Sequence, residues 1–389
     1  MTIKVLFDDA FFSLSNNGIA SYWRSLLKSC QENFLFEEND IEFKVINRSG
    51  AFRGSTCELI DFPALDINRL STDLEMLGKL SDYVNPDLFI SSYYTYILGR
   101  KNMSVIYDLI PEVLNFKQNE EIWQHRLNYF HQSTSNIVIS EATLRDLSNF
   151  FPFINLQSNW VIKPGVDLSY FKRSEQSEIN DFRKKYFLGE ESFIVFLGSR
   201  HQIADYKNAR KFFEGLSSEK SFSHNIVCVG GEELTESEIN SCRKAGVRLY
   251  RLNIENSELP TCLSSAACLV YPSLYEGFGM PVTETLAVGT PVVSGSGGGL
   301  IESGGSLAIR VDVESSNQIF RGIEKSCDLD WALLVKNQGP EWASHFSWRE
   351  AATLFVQAIT ETHEIGVPPR VLKVNEILKE YHRKMKYLE

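Results

Sequence analysis

The chain has 389 residues, more than a single hydrophobic core usually holds, so two domains are expected. Hydrophobic residues make up 43% and charged residues 23%, the balance of an ordinary soluble globular protein. A formal net charge of −11 disfavours nucleic acid as a partner and leaves membrane association peripheral at most, because both need clustered basic surface. Seven cysteines, with no CxxC pair, read as reduced and mostly buried, the usage of a cytoplasmic protein. The opening MTIKVLFDDAFF lacks the basic-then-apolar plan of a signal peptide, and no apolar run approaches the ~20 residues that span a bilayer.

In chain order, Val5 to Phe7 is a short apolar run that meets Asp8-Asp9, as the end of a buried strand would. Asn16-Asn17-Gly18 then leads into IASYWRSLLKSC, whose Ile19, Tyr22, Leu26 and Leu27 recur at helical spacing. Strand, glycine turn and helix can face an anion, or can simply start a helix. The alternation continues with a strand over 42–46, a helix over 68–84 and a strand over 88–91. A strand over 104–108, a helix over 119–131, a strand over 136–139 and a helix over 142–150 follow. Such alternation implies a parallel sheet covered on both faces, with ligands outside the carboxyl ends of its strands.

A strand over 160–162 runs into Lys163-Pro164-Gly165-Val166-Asp167, and a second α/β set begins at 193–197. That strand ends in GSRHQIADYKNARKFF, where Arg200 and Lys207 flank a loop and Asn208 starts a helix. Two cations at a strand end read equally as solvated or functional. Strands over 226–229 and 247–252 and helices over 233–245 and 257–266 lead to the densest stretch, ACLVYPSLYEGFGMPVTETLAVGTPVVSGSGGGLIESGG. Here a strand over 268–271 closes at Pro272, and Glu276 precedes the loop Gly277-Phe278-Gly279. Pro281 suits the first turn of a helix, which passes Glu284 and stops near Gly289. A glycine loop at a helix start aims unpaired N–H groups at one point and favours an anion there. Alone, Glu284 could be a dipole partner worth roughly 0.3–1 kcal/mol, and Glu276 a solvated turn residue.

The whole string resembles the donor-site signature of the retaining family 4 glycosyltransferases of the GT-B fold, a Glu, seven residues and a second Glu. Its likeness to O-antigen mannosyltransferases spans nearly the whole chain and is densest from Gly198 to Gly305. The resemblance implies an α/β architecture of two Rossmann-like domains facing across a cleft. The Pro/Gly segment then places an acceptor-side domain at 1–165 and a nucleotide-sugar domain at 166–370, with a helix over about 371–389 packing back on the first. It implies a retaining hexosyltransferase with no cofactor, and the few scattered histidines, none paired with a Cys or another His at ligand spacing, imply no metal. The substrates would be a nucleotide diphosphate sugar (GDP-mannose, or UDP-glucose) and a hydroxyl on a glycan, lipid-linked saccharide or small acceptor.

By the same resemblance Glu276 lies at the transferred sugar and Glu284 at the ribose hydroxyls. The backbone of Gly277, Phe278, Gly279 and Met280 holds sugar and phosphate. Arg200 and Lys207 meet the leaving diphosphate, where preorganised cations stabilise charge as it develops. Gly18 falls where relatives carry a Gly-Gly-Ile or Gly-Ile turn, with Asn17 replacing one glycine. SVIYDLIPE stands where relatives often read V-H-D-L-x-P, so Tyr107 and Asp108 become the acceptor-side candidates. Tyr107 also reads as a packed core residue, and with a phenol pKa near ~10 it cannot replace His as a base at neutral pH. Other readings are a sugar or sugar-phosphate synthase or a phosphorylase of the same fold, or a non-catalytic nucleotide- or glycan-binding module. An NAD-dependent oxidoreductase lacks its dinucleotide fingerprint.

Several signals carry no function on this reading. Asp328-Leu329-Asp330 spells a metal-binding D-x-D but reads as a helix cap, and Gly295–Gly299 fails the G-x-G-x-x-G pattern at Leu300. Gly230-Gly231 either lines the cleft or makes a tight turn. Ser347-Trp348-Arg349-Glu350 is a capping box that opens a helix with an apolar face at Ala351, Leu354, Phe355 and Ile359. The basic residues His382, Arg383, Lys384 and Lys386 read as a solvated helix end. The protein is expected in the cytoplasm, at most peripheral to the inner face of the membrane.

Overall fold

A computed structural model of the chain describes residues 2–367 apart from Asn16, 117–119, Phe153, 155–157, 201–204, Ser217 and 219–221, and without the side chains of 120–124. The helix expected over about 371–389, with its basic residues, lies outside the described residues. The chain forms two compact units, Met1–Gly165 together with the segment from Trp348, and Val166–Ser347.

The first unit holds seven strands, β1 (Ile3–Asp8), β2 (Ile41–Asn47), β3 (Glu58–Asp61), β4 (Leu88–Ser91), β5 (Asn102–Ile106), β6 (Ser135–Val138) and β7 (Asn159–Val161). They run in the order β3-β2-β1-β4-β5-β6-β7, and every pairing is parallel. Parallel neighbours need a crossover, which is why apolar strand runs alternate with amphipathic helices here. Helix Gly18–Glu32 begins where the Asn17 side chain accepts the Ile19 N–H at 3.1 Å. Its Trp23, Leu26 and Leu27 are buried against Phe7 and Phe43 of the sheet.

The expected domain limit at 370 needs correction, because the chain returns to the first unit at Trp348. Helix Trp348–Glu364 buries Ala351, Ala352, Phe355, Val356 and Ile359, positions that share one face at helical spacing. That face packs on this unit: Phe355 lies 5.8 Å from Trp23, Trp348 lies 5.6 Å from Tyr22, and Ser135 and Thr362 share a hydrogen bond of 2.6 Å. Fully burying a side chain such as Phe355 stabilises by about 1.5–3 kcal/mol, enough to decide which sheet the helix covers.

The second unit holds β8 (Phe193–Leu197), β9 (Asn225–Val229), β10 (Leu249–Leu252), β11 (Cys268–Tyr271), β12 (Val292–Ser294) and β13 (Ala308–Arg310). Their order is β10-β9-β8-β11-β12-β13, again all parallel. The direction of winding reverses between β8 and β11, and the loops after those two strands therefore diverge and leave a crevice at their carboxyl ends. Among the described residues no helix is long and apolar enough to cross a membrane.

Candidate active site

The switch point of the second sheet brings two of the sequence candidates together. After β8 the chain makes a tight turn over 205–208, with Asp205 and Asn208 both left-handed at φ 47° and 57°. Left-handed backbone is costly for residues with a side chain, so other contacts must hold it. They do: Asn208 N–H donates to the Asp205 carbonyl at 2.7 Å, Asn208 Nδ2 to the Val313 carbonyl at 2.6 Å, and Leu274 N–H to the Tyr206 carbonyl at 2.8 Å. The turn delivers Lys207 to the end of β11. Its Nζ lies 2.5 Å from Glu276 Oε1 and 2.6 Å from the Tyr271 hydroxyl. The two charged side chains are only 13% and 11% exposed. Burial opposes the ammonium charge, but Glu276 and the Tyr206 side chain outweigh it and raise the Lys207 pKa, so the ammonium keeps its charge at neutral pH.

Glu276 sits on a loop seated in the glycine run that follows β12. Its carbonyl accepts the Gly299 N–H at 2.8 Å, and it pairs with Gly298 in a single parallel bridge. A Cβ at Gly297, Gly298 or Gly299 would lie 2.0, 2.1 or 2.3 Å from the carbonyl oxygens of Leu274, Glu276 and Gly277. Gly295–Gly299 is thus the bed of the Glu276 loop, a role the failed phosphate pattern hides. Gly279 (φ 95°) begins helix Met280–Ala287, and Phe278 is buried with its ring 5.4 Å from Phe346. With two glycines and a buried Phe278, the segment Gly277-Phe278-Gly279 therefore presents backbone just before the helix start at Met280. Glu284 follows on that helix, half-buried and, among the described residues, with no hydrogen-bond or ion-pair partner for its carboxylate. Desolvation pushes its pKa up to about 7, and its charge is felt by Tyr170 and Tyr271.

Residues 178–326 match the family Glycosyl transferases group 1. This segment is a glycosyltransferase group 1 domain. The chain is 23% identical over 245 residues to the O-antigen chain mannosyltransferase B of Escherichia coli, covering 60% of this chain and 64% of that one. It is 26% identical over 232 residues to the GDP-mannose-dependent alpha-(1-6)-phosphatidylinositol monomannoside mannosyltransferase of Mycobacterium tuberculosis, covering 54% and 57%. Each match spans less than two thirds of the relative's own length. Anabaena HepE, solved in complex with UDP and glucose, is similar in structure with a TM-score of 0.73 at 16% identity, over 92% of this chain and 100% of that one. The fold is that of the GT-B glycosyltransferases, two Rossmann-like α/β units.

Within the glycosyltransferase domain, Arg200, expected at the diphosphate, has its guanidinium engaged by protein groups. Its side chain is fully buried and donates from Nε to Glu238 at 3.0 Å, from Nη1 to the Gly230 carbonyl at 3.1 Å, and from Nη2 to the Glu232 carbonyl. Gly230 and Gly231, both at φ 69°, form the tight turn around it. Asp328 caps the start of helix Leu329–Ser344, its Oδ1 accepting the N–H groups of Asp330 and Trp331 at 3.0 and 3.2 Å.

The three candidates outside the glycosyltransferase domain belong to the first unit. Gly18 is exposed at its helix start, and a Cβ there would meet nothing within 4 Å. Tyr107 is structural: its hydroxyl donates to the Ser92 carbonyl at 2.8 Å and accepts the Trp23 indole N–H at 2.6 Å, and burial raises its pKa well above 10. Asp108 accepts the Ile110 N–H at 3.0 Å, just before the turn Ile110–Val113. Both acceptor-side candidates thus already hold local structural contacts. Sequence reasoning missed Tyr271 and Tyr206. Their one signal was adjacency, since Tyr271 is the last residue of β11 and Tyr206 precedes Lys207.

Proposed function

We propose that the protein is a retaining hexosyltransferase that moves a hexose, mannose from GDP-mannose before glucose from UDP-glucose, onto a hydroxyl acceptor. The observation that carries this reading is the buried Lys207–Glu276 pair at a topological switch point, with the unpartnered Glu284 on the helix that follows. An unpartnered carboxylate in a half-buried place suits a ligand that brings donors of its own, and the adjacent ribose hydroxyls supply two. The Lys207 ammonium suits an oxygen of the leaving diphosphate, where negative charge grows as the sugar C1–O bond breaks. Glu276 then hydrogen-bonds the sugar and opposes the positive charge on its ring. The acceptor oxygen forms the new bond to C1, and its proton passes to the departing phosphate oxygen, so no protein base is required. Arg200, already bonded to Glu238, Gly230 and Glu232, takes no part.

The mannose preference rests on the names of two relatives, and glucose on the contents of the HepE complex. The acceptor is a hydroxyl of a glycan or lipid-linked saccharide, and the setting is the cytoplasm or the inner membrane face. Glu276→Gln and Lys207→Ala test the site together. We expect sugar transfer from GDP-mannose to fall by about 10²–10³ for the first, the effect of losing one transition-state contact. For the second, calorimetry is expected to give GDP binding about tenfold or more weaker. Wild-type turnover in the first variant and unchanged GDP affinity in the second would overturn the assignment.

A further inference from the structure

We infer that the Tyr271 hydroxyl is a positioning group of the donor site, aiming the Lys207 ammonium so that one of its N–H bonds is kept for the terminal phosphate of a nucleoside diphosphate. The inference rests on the proposed function and deepens it with a residue outside the Glu-x7-Glu signature. A lysine reaching into a site has a flexible four-carbon stem and a compact charge that any nearby acceptor can capture. Here the ammonium is restrained on several sides. Glu276 Oε1 lies 2.5 Å away, the Tyr271 hydroxyl 2.6 Å, the face of the Tyr271 ring 4.6 Å and the face of the Tyr206 ring 5.1 Å.

An ammonium has three N–H donors. With two directed at the carboxylate and the phenol, tetrahedral geometry sets the direction of the third. Tyr271 can act as the reference point because it belongs to the sheet. It ends β11, pairs in register with Ser294 of β12 and is almost fully buried. Glu276, by contrast, sits on a loop, and the ion pair alone would let the ammonium swing around the carboxylate. Burial, with the Glu276 charge beside it, keeps the phenol neutral well above pH 10, so its oxygen remains an acceptor throughout the working range.

Because Tyr271 acts through Lys207, its effect must disappear when Lys207 is gone, and it must concern the terminal phosphate alone. The test is calorimetric binding of GDP and GMP, with UDP and UMP in parallel, to wild type, Tyr271→Phe, Lys207→Ala and the double variant. Circular dichroism melting confirms that each is folded. Tyr271→Phe keeps the ring and removes one oxygen. We expect it to bind diphosphate about tenfold more weakly, as for a lost hydrogen bond to a charged group, with monophosphate affinity unchanged. In transfer assays kcat is expected to fall while KM for the acceptor stays at the wild-type value. In the Lys207→Ala background the same substitution is expected to be silent. Equal loss of monophosphate and diphosphate, wild-type diphosphate affinity, or an undiminished effect without Lys207 would overturn the inference. If Lys207→Ala itself leaves diphosphate affinity unchanged, the proposed donor site fails. If it weakens binding and Tyr271→Phe does not, only the role of Tyr271 fails.

Discussion

The two sheets are wound in the same order, so each has a switch point, between β1 and β4 in the first unit and between β8 and β11 in the second. Their chemistry differs. At the first, the charges close on one another. Arg48, fully buried, is bidentate to Asp8 at 2.6 and 2.9 Å and to Asp73 at 2.7 and 2.8 Å, and donates to the Pro63 carbonyl at 3.1 Å. Asp8 also accepts the Thr95 hydroxyl at 2.7 Å. Asp9 accepts the Arg48 N–H at 2.8 Å and the Ser49 hydroxyl at 3.0 Å. At the second, Lys207 and Glu276 pair but, among the described residues, the Glu284 carboxylate is left without a partner. The shared winding offers a crevice twice, and a closed network of charges holds a fold while an open one can meet a ligand.

The largest test of that contrast is Arg48→Ala. It strands the buried carboxylates of Asp8 and Asp73, and removing one partner from such a cluster costs about 3–5 kcal/mol. Urea unfolding of the first unit is expected to show that loss, while GDP affinity of the folded protein, which belongs to the second unit, stays at its wild-type value. A loss of binding without loss of stability would mean that the first network, too, serves a ligand.

Asp9 sharpens the same contrast. Burial raises its pKa to about 6, helped by the neighbouring Asp8 charge and opposed by its bonds to the Arg48 N–H and Ser49. A carboxyl whose folded pKa lies above its unfolded value favours folding fully below about pH 4, and that contribution is lost as pH rises through about 6. The loss is on the order of 2–3 kcal/mol. In Asp9→Asn the urea midpoint is expected to stay level from pH 4.5 to 6.5 where the wild type declines. Parallel declines would remove Asp9 as the cause.

How much of this was legible in the sequence follows from the range of each interaction. Leu88–Ser91, Phe193–Leu197 and Cys268–Tyr271 are continuous apolar runs bounded by turn residues, and each is a strand over the expected span. β3 escaped notice because, at the sheet edge, its Glu58 and Asp61 remain exposed. β5 begins two residues earlier than expected, at Asn102, a buried polar residue whose amide bonds the carbonyls of Ile97 and Arg100 at 2.9 and 3.0 Å. Glu276 and Glu284 were legible because nine residues of one loop and helix carry both. Arg200 and Tyr107 were not. Their partners Glu238 and Trp23 lie 38 and 84 residues away, and only the folded sheets show that these groups are already engaged.

The smallest expected effect is the most specific to the open switch point. Glu284 has a pKa of about 7 because burial is unrelieved by any donor. A ribose that offers two O–H groups favours the carboxylate, so binding and ionisation reinforce each other. The sign follows: below about pH 7 the free protein carries the neutral acid, binding releases a proton, and affinity tightens as pH rises until it levels above the free pKa. GDP titrates near the same range through its own terminal phosphate, with a second pKa near ~6. GDP-mannose, whose terminal phosphate is esterified, removes that ambiguity. Calorimetry with GDP-mannose from pH 6 to 8.5, in two buffers of different ionisation enthalpy, is expected to show both the tightening and the released proton. Glu284→Gln is expected to bind about tenfold more weakly at pH 8 and to give a flat profile with no proton release. If the variant keeps the wild-type pH profile, the titrating group is elsewhere, and the open carboxylate at the second switch point is not where the ribose is held.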